Sequence, residues 1–220
     1  MVTTNSIVLH SRRYGDTSRI VVLLTEELGK VSVVARGSRT TKSSFGSSLE
    51  PLTIGRVGIY HQRNRELHTL GSADATVTWK TLTSSLEHLE AGLSVCKLVL
   101  RTQPNEVPAN DVFSFLSTVL TSMESVNEDV VYRVSVQARV TLAALMGFGL
   151  QLFEPPQDRG LRLSMDNGHH TSEHGYQISR SAYSVLAQAP YHHALVPASD
   201  RHEVEEFIAQ YFTHHLGKHV

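Results

Sequence analysis

Apolar and polar positions change their period once along this chain. In the first part the apolar residues come in short runs rich in Val, Ile and Leu: Ser6 to Leu9, Arg19 to Thr25, Lys30 to Ala35, Leu52 to Tyr60 and Glu66 to Leu70. Runs of that length, bounded by turn residues, predict strands. Glu27, Leu28 and Gly29 form a short link in which Gly can take positive φ, so Arg19 to Thr25 is expected to form a hairpin with Lys30 to Ala35. After Gly37 the stretch SRTTKSSFGSS holds five Ser, two Thr and one Gly beside Arg39 and Lys42, which predicts a flexible basic loop. His61 to Arg65 joins the last two strands.

Around Trp79 the period becomes helical. Leu82, Leu86, Leu89, Leu93, Cys96, Lys97 and Leu100 recur at three and four residues, with Lys97 as a polar interruption, until Pro104 and Pro108 break the pattern. Asp111 to Met123 and Asp129 to Met146 predict two further helices, the second ending at Gly147. From Phe153 to Tyr176 the sequence is polar and dense in turn residues, with only Leu161 to Met165 resembling a strand. Helix returns at Arg180 to Gln188 and at Asp200 to Leu216, where Val204, Phe207, Ile208, Tyr211 and Phe212 make one apolar face. The expected fold class is therefore α+β in two parts. Residues 1–80 suit a small closed β-barrel of the OB-fold type. Residues 81–220 suit a mainly helical domain with a long irregular insertion at about 150–178.

A chain of 220 residues exceeds the usual size of one domain, which agrees with that division. Charge agrees too: residues 1–80 carry 11 Lys and Arg against 6 Asp and Glu, net +5, whereas residues 81–220 carry 9 against 15, net −6. Such a split points the first part at a polyanion. One cysteine, Cys96, excludes an internal disulfide and any zinc site that needs two thiolates. The start lacks the apolar stretch of a signal peptide, and no run has the length of a membrane span, so a cytoplasmic location is expected.

The sequence contains no phosphate-binding glycine loop, dinucleotide turn, H-E-x-x-H helix or nucleophile elbow, so no enzyme class is indicated. Ser94-Val95-Cys96-Lys97 matches the S-x-x-K letters of serine acyl-enzymes, but it lies in an apolar helical stripe and the partner motifs of that class are missing. Among 13 histidines, His169, His170 and His174 offer the nearest approach to metal-ligand spacing. They lie in an irregular segment without a thiolate, so no metal and no cofactor is expected. The pairs His192-His193 and His214-His215 are read as solvent-exposed.

The run from Ile7 to Pro51, IVLHSRRYGDTSRIVVLLTEELGKVSVVARGSRTTKSSFGSSLEP, closely resembles the N-terminal domain of the bacterial RecO family. The matching elements are Leu9 to Ser18, the hairpin Thr25 to Lys30, the step Val34-Ala35-Arg36-Gly37 followed by Arg39, and Leu49 to Leu52. Leu145-Met146-Gly147-Phe148-Gly149 resembles the leucine-glycine-aromatic step of the family's C-terminal domain, and Leu216-Gly217-Lys218 its closing segment. Many members carry a four-cysteine zinc site just after that step, which this sequence lacks. The resemblance implies a non-enzymatic mediator of DNA repair and recombination with an N-terminal OB-fold. It would bind single- and double-stranded DNA, anneal complementary strands and assist RecA on DNA coated by single-strand binding protein. The implied partners are RecR and the acidic C-terminal tail of single-strand binding protein.

Annealing brings two polyanions together, so the protein must lower phosphate repulsion without occupying base edges. Lys and Arg on a barrel surface and its loops do this by counterion release. The candidates are Arg12, Arg13, Arg19, Lys30, Arg36, Arg39 and Lys42. Stacking of bases on Tyr14, Phe45 or Tyr60 is a weaker expectation, since each also suits core or turn packing. In the helical part, Arg133 and Arg139 are the candidates to receive a carboxylate tail. The competing reading is an OB-type adaptor that joins proteins and touches nucleic acid incidentally.

Overall fold

The structure is a computed structural model that describes residues 1–153, 161–172, 174–187 and 195–217. Five strands, β1 (Val2–Tyr14), β2 (Ser18–Thr25), β3 (Gly29–Ala35), β4 (Ile54–Tyr60) and β5 (Leu67–Ala75), are followed by α1 (Leu86–Thr102), α2 (Asn110–Glu124) and α3 (Glu128–Leu145). A short hairpin of β6 (Leu161–Leu163) and β7 (Tyr176–Ile178) precedes α4 (Arg180–Ala187) and α5 (Ala198–Leu216). The chain divides into two compact units. One holds residues 1–84 and 92–124, the other 85–91 and 125–220.

In the first unit β1 to β5 close into a barrel of order β1-β2-β3-β5-β4, the five-stranded closed form expected of an OB-like fold. All neighbours are antiparallel except β3 and β5, whose pairing of Ser32 with Leu67 is parallel. β1 serves two partners: residues 2–7 pair with β4 and residues 6–14 with β2, across an irregularity between Val8 and His10. A bulge lets one strand bend from one neighbour to the other, and closure leaves no edge exposed.

Alternate residues fill the barrel: Val21 and Leu23 from β2, Val31, Val33 and Ala35 from β3, and Val57 and Ile59 from β4. The expected hairpin forms with Thr25 opposite Gly29. Gly29 has φ +68°, and a Cβ there would stand 2.0 Å from the carbonyl oxygen of Val107, so both conformation and close approach require glycine. Thr25 locks the turn by accepting from Leu28 N–H and donating to Gly29 O. Leu52, read from sequence as the first residue of a strand, has φ +72° and lies outside β4. Its left-handed backbone turns the chain into β4, and its carbonyl accepts from the indole N–H of Trp79.

The basic loop after Gly37 is less free than its composition implies. Phe45 and Leu49 are buried in the barrel core, so the loop is tacked down at two apolar points. In α1 the expected stripe is only partly the buried one: Leu82 before the helix and Cys96 are buried, but Leu86 is exposed, Leu89, Leu93 and Leu100 are half-buried, and Ala91, Val95, Leu98 and Val99 are buried beside them. The helix comes close to the barrel at Gly92, where a Cβ would meet Leu52 at 3.1 Å. Burial pushes the Cys96 thiol up to about 12, which makes it inert. The carboxylate of Glu124 at the end of α2 accepts from the backbone N–H groups of Lys80, Thr81 and Leu82 and so fixes the segment that leads out of the barrel.

In the second unit Val204, Phe207, Ile208, Tyr211 and Phe212 are buried along one face of α5, as their spacing predicts. Gly147 follows α3 with φ +89°. His214 is exposed and lies 3.1 Å from Asp166. His215, expected in solvent, instead stacks on Phe148 with ring centroids 4.6 Å apart. The insertion is not wholly irregular, since β6 and β7 pair within it. Gln188, the His192-His193 pair and Lys218 lie outside the described residues, as does part of the insertion.

Arg139 on α3 is buried and forms a two-pronged ion pair with Glu205 on α5, at 2.5 and 2.7 Å, while its Nε donates to Ser135 O. Burial alone would raise the Glu205 carboxyl, but the hydrogen bonds and charge of Arg139 outweigh it and hold the carboxyl below the usual range. A carboxyl lowered by folding stabilises the folded state above its unfolded pKa, and that contribution is lost as pH falls through the folded value.

Two outcomes follow. Phe45→Ala should cost about 3 kcal/mol in denaturant unfolding, as removal of a buried ring does, whereas Tyr14→Ala, at an exposed ring, should stay within about 0.5 kcal/mol. Glu205→Gln should lower the melting temperature at neutral pH and flatten its decline below about pH 5, measured by thermal scans across pH.

Candidate nucleic-acid interface

The register of the barrel decides which cations meet. The ends of β1 and β3 and the start of β2 lie together, because Arg13 faces Arg19 across β1-β2 and Arg19 faces Ala35 across β2-β3. Arg12, Arg13 and Arg19 therefore share this barrel end with Arg36, which follows β3, and with Arg39 and Lys42 in the next loop. Lys30 does not join them. It sits at the opposite end, where β2 turns into β3, and its ammonium donates to the carbonyl oxygen of Leu100 in α1 at 2.7 Å.

The six clustered cations differ in availability. Arg12, Arg13, Arg36 and Lys42 are exposed and make no ion pair or side-chain hydrogen bond among the described residues. Arg19 is matched by Glu50 at 2.7 Å. Arg39 is a brace: its Nη1 donates to the carbonyl oxygens of Gly15 and Asp16, and its backbone N–H to Thr17 O, which ties the basic loop to the β1-β2 turn. Four exposed charges thus stand on a frame fixed by Arg39, Phe45 and Leu49. A polyanion that met them would release counterions without any demand on base sequence.

The aromatic candidates separate in the same way. Tyr14 is 50% exposed at the basic end, on the last residue of β1. Tyr60 is comparably exposed but belongs to the opposite end, with its ring against Gly71. Phe45 is core.

Arg133 and Arg139, the candidates for a partner's carboxylate, are both buried in α3. Arg139 is already committed to Glu205. Among the described residues, His169, His170 and His174 form no group able to hold a metal ion. His169 instead meets the side-chain oxygen of Gln151 at 2.7 Å.

Sequence reasoning missed one cluster. At the opposite end of the barrel, the ring nitrogens of His61 and His68 converge on the carboxylate of Glu106, from the segment between α1 and α2. The hydrogen bond from His68 holds the Glu106 carboxyl below its usual range, against a smaller effect of burial. His61 and His68 are seven residues apart and Glu106 a further 38, so no local spacing marks them.

Comparison with known proteins agrees with these observations. The family model described as recombination protein O N terminal matches residues 1–79, and that described as recombination protein O C terminal matches residues 83–220. A DNA repair protein RecO of Salinibacter ruber is 31% identical over 201 residues, covering 86% of this chain and 77% of the relative. One from Rubrobacter xylanophilus is 30% identical over 149 residues, covering 68% of this chain and 58% of the relative. One from Heliobacterium modesticaldum is 33% identical over 113 residues, covering 51% and 40%. With both family domains matched in order, and with the OB-like barrel and the helical region that follows it, this chain belongs to the RecO family of DNA repair proteins.

Proposed function

We propose that this chain is a non-catalytic recombination mediator that binds single- and double-stranded DNA at the basic end of its barrel and anneals complementary strands. The observation that carries the reading is the convergence of Arg12, Arg13, Arg36 and Lys42, exposed and unengaged, beside the braced Arg39 and the paired Arg19. Family membership supports the wider role, which includes help for RecA on DNA coated by single-strand binding protein in the cytoplasm. Lys30 is left out of the contact set because its ammonium is occupied on the far side. Tyr14 is the aromatic placed to stack a base.

RecR and the tail of single-strand binding protein are the partners proposed for the helical part. Arg133 and Arg139 enter that proposal as buried supports: Arg139 joins α3 to α5 and so shapes the surface outside it. Among the described residues no helix is long and apolar enough to cross a membrane.

The test is a titration of labelled single-stranded DNA at several salt concentrations. Wild type should lose affinity steeply with salt, and Arg13→Ala, Arg36→Ala and Lys42→Ala combined should reduce the logarithmic slope by about 2, given about 0.7 per phosphate contact on a single strand. Lys30→Ala should leave the slope unchanged. Salt-insensitive binding, or none in the micromolar range, would favour the protein-adaptor reading. Annealing of strands already coated with single-strand binding protein should be faster with wild type than with the triple variant, read by fluorescence quenching.

A further inference from the structure

The end of the barrel away from the basic cluster is built with care. Glu106 has φ +56°, a left-handed conformation that a non-glycine residue adopts only when its surroundings impose it. Those surroundings are specific. Its N–H donates to Lys30 O at 2.9 Å, Lys30 and Asn105 form a β-bridge, and the next residue, Val107, fits against Gly29 with no room for a side chain. The backbone thus holds the Glu106 carboxylate over the barrel end, where two imidazoles face it. His68 Nε2 lies 2.8 Å from Oε1, and His61 Nε2 lies 3.5 Å from Oε2. The His68 side chain is fully buried, and the two rings are 4.4 Å apart between centroids.

The three ligand atoms all lie within 4.8 Å of one another. Ligands about 2.0 to 2.2 Å from a tetrahedral zinc stand about 3.3 to 3.6 Å apart, so His61 and Glu106 already have that separation and His68 needs a small slide of the carboxylate. Two neutral imidazoles and one carboxylate form a nitrogen and oxygen set suited to a borderline cation. Glu106 also lines a pocket of about 420 Å³ with Lys30, Asn64, Arg65 and Asn105. We propose that His61, His68 and Glu106 bind one zinc-class divalent cation, with its remaining coordination open to water.

Without metal, Nδ1 of His68 faces the N–H of Gln62 at 3.4 Å, and Nε2–H donates to Glu106. A cation on Nε2 moves the ring proton to Nδ1, which gives up the long contact from Gln62 and replaces the hydrogen bond to Glu106 with a shared metal ion. The site joins the loop between β4 and β5 to the segment between α1 and α2, so occupancy would clamp the two together. It is separate from the DNA-binding proposal and from the His169 to His174 segment.

The experiment uses the full chain purified without an affinity tag, stripped with a chelator and titrated with Zn²⁺ alone in competition with a chromogenic chelator. One equivalent should bind in the micromolar range or tighter and raise the melting temperature. His61→Ala and Glu106→Gln should each weaken binding by about 100-fold or more, since the loss of a ligand exceeds the loss of a second-shell partner. The His169→Ala, His170→Ala, His174→Ala variant should bind as wild type does. A second readout needs no variant: Zn²⁺ should protect His61 from carbethoxylation, read by mass spectrometry, while the exposed His202 stays reactive. Absence of zinc uptake by wild type, equal uptake by His61→Ala and Glu106→Gln, or no protection of His61 would each overturn the proposal.

Discussion

The closure of the barrel through β1 is the constraint on which the rest of the first unit depends. One strand of 13 residues pairs with β4 along its first half and β2 along its second, with an irregularity where it changes partner. Because side chains alternate across a strand, a slip of one residue on either flank would send the core residues outward. The bulge holds both registers at once. That single arrangement puts Val8 inside, closes the sheet on β4, and brings the end of β1 beside the start of β2.

The two ends of the barrel then acquire different chemistry from the same topology. At one end the chain turns with Gly15 and Gly37 and carries Arg12, Arg13, Arg36 and Lys42 into solvent. Neighbouring like charges repel, and the frame that tolerates them is supplied by Arg39 on backbone carbonyls and by Phe45 and Leu49 in the core. At the other end several polar groups find partners within the chain, although Arg63 and Arg65 stay exposed. Lys30 meets a carbonyl, and His61 and His68 meet a carboxylate held by a strained backbone.

The second unit handles charge by burial. Arg139 is nearly inaccessible, and its planar guanidinium meets both oxygens of Glu205, whose carboxylate also accepts from Tyr132. Removing one partner would leave a buried charge uncompensated, so the pair specifies how α3 and α5 meet more than it adds net stability. Arg201 over the Tyr132 ring extends the same network.

Much of this was legible in sequence because it is local. The positions of β2 and β3 followed from their Val and Ile runs, the hairpin from Gly29, α2 and α3 from their spacing, and the face of α5 from Val204 to Phe212. The cationic set and the family resemblance were also readable, since both lie in contiguous stretches. What the sequence left open depended on contacts between distant residues. Composition marked the Ser-rich loop as free, yet Phe45 and Leu49 anchor it. Leucine spacing placed only part of the buried face of α1: Cys96 is buried as expected, but Leu86 is exposed and Ala91, Val95, Leu98 and Val99 are buried beside the expected stripe. Lys30 and Arg139 read as available charges until the fold supplied Leu100 and Glu205 as partners. His61, His68 and Glu106 carried no local signal at all. Propensity and periodicity act over a few residues and determine elements by themselves, whereas the partner of a charge is chosen only when closure brings remote segments within reach of a hydrogen bond.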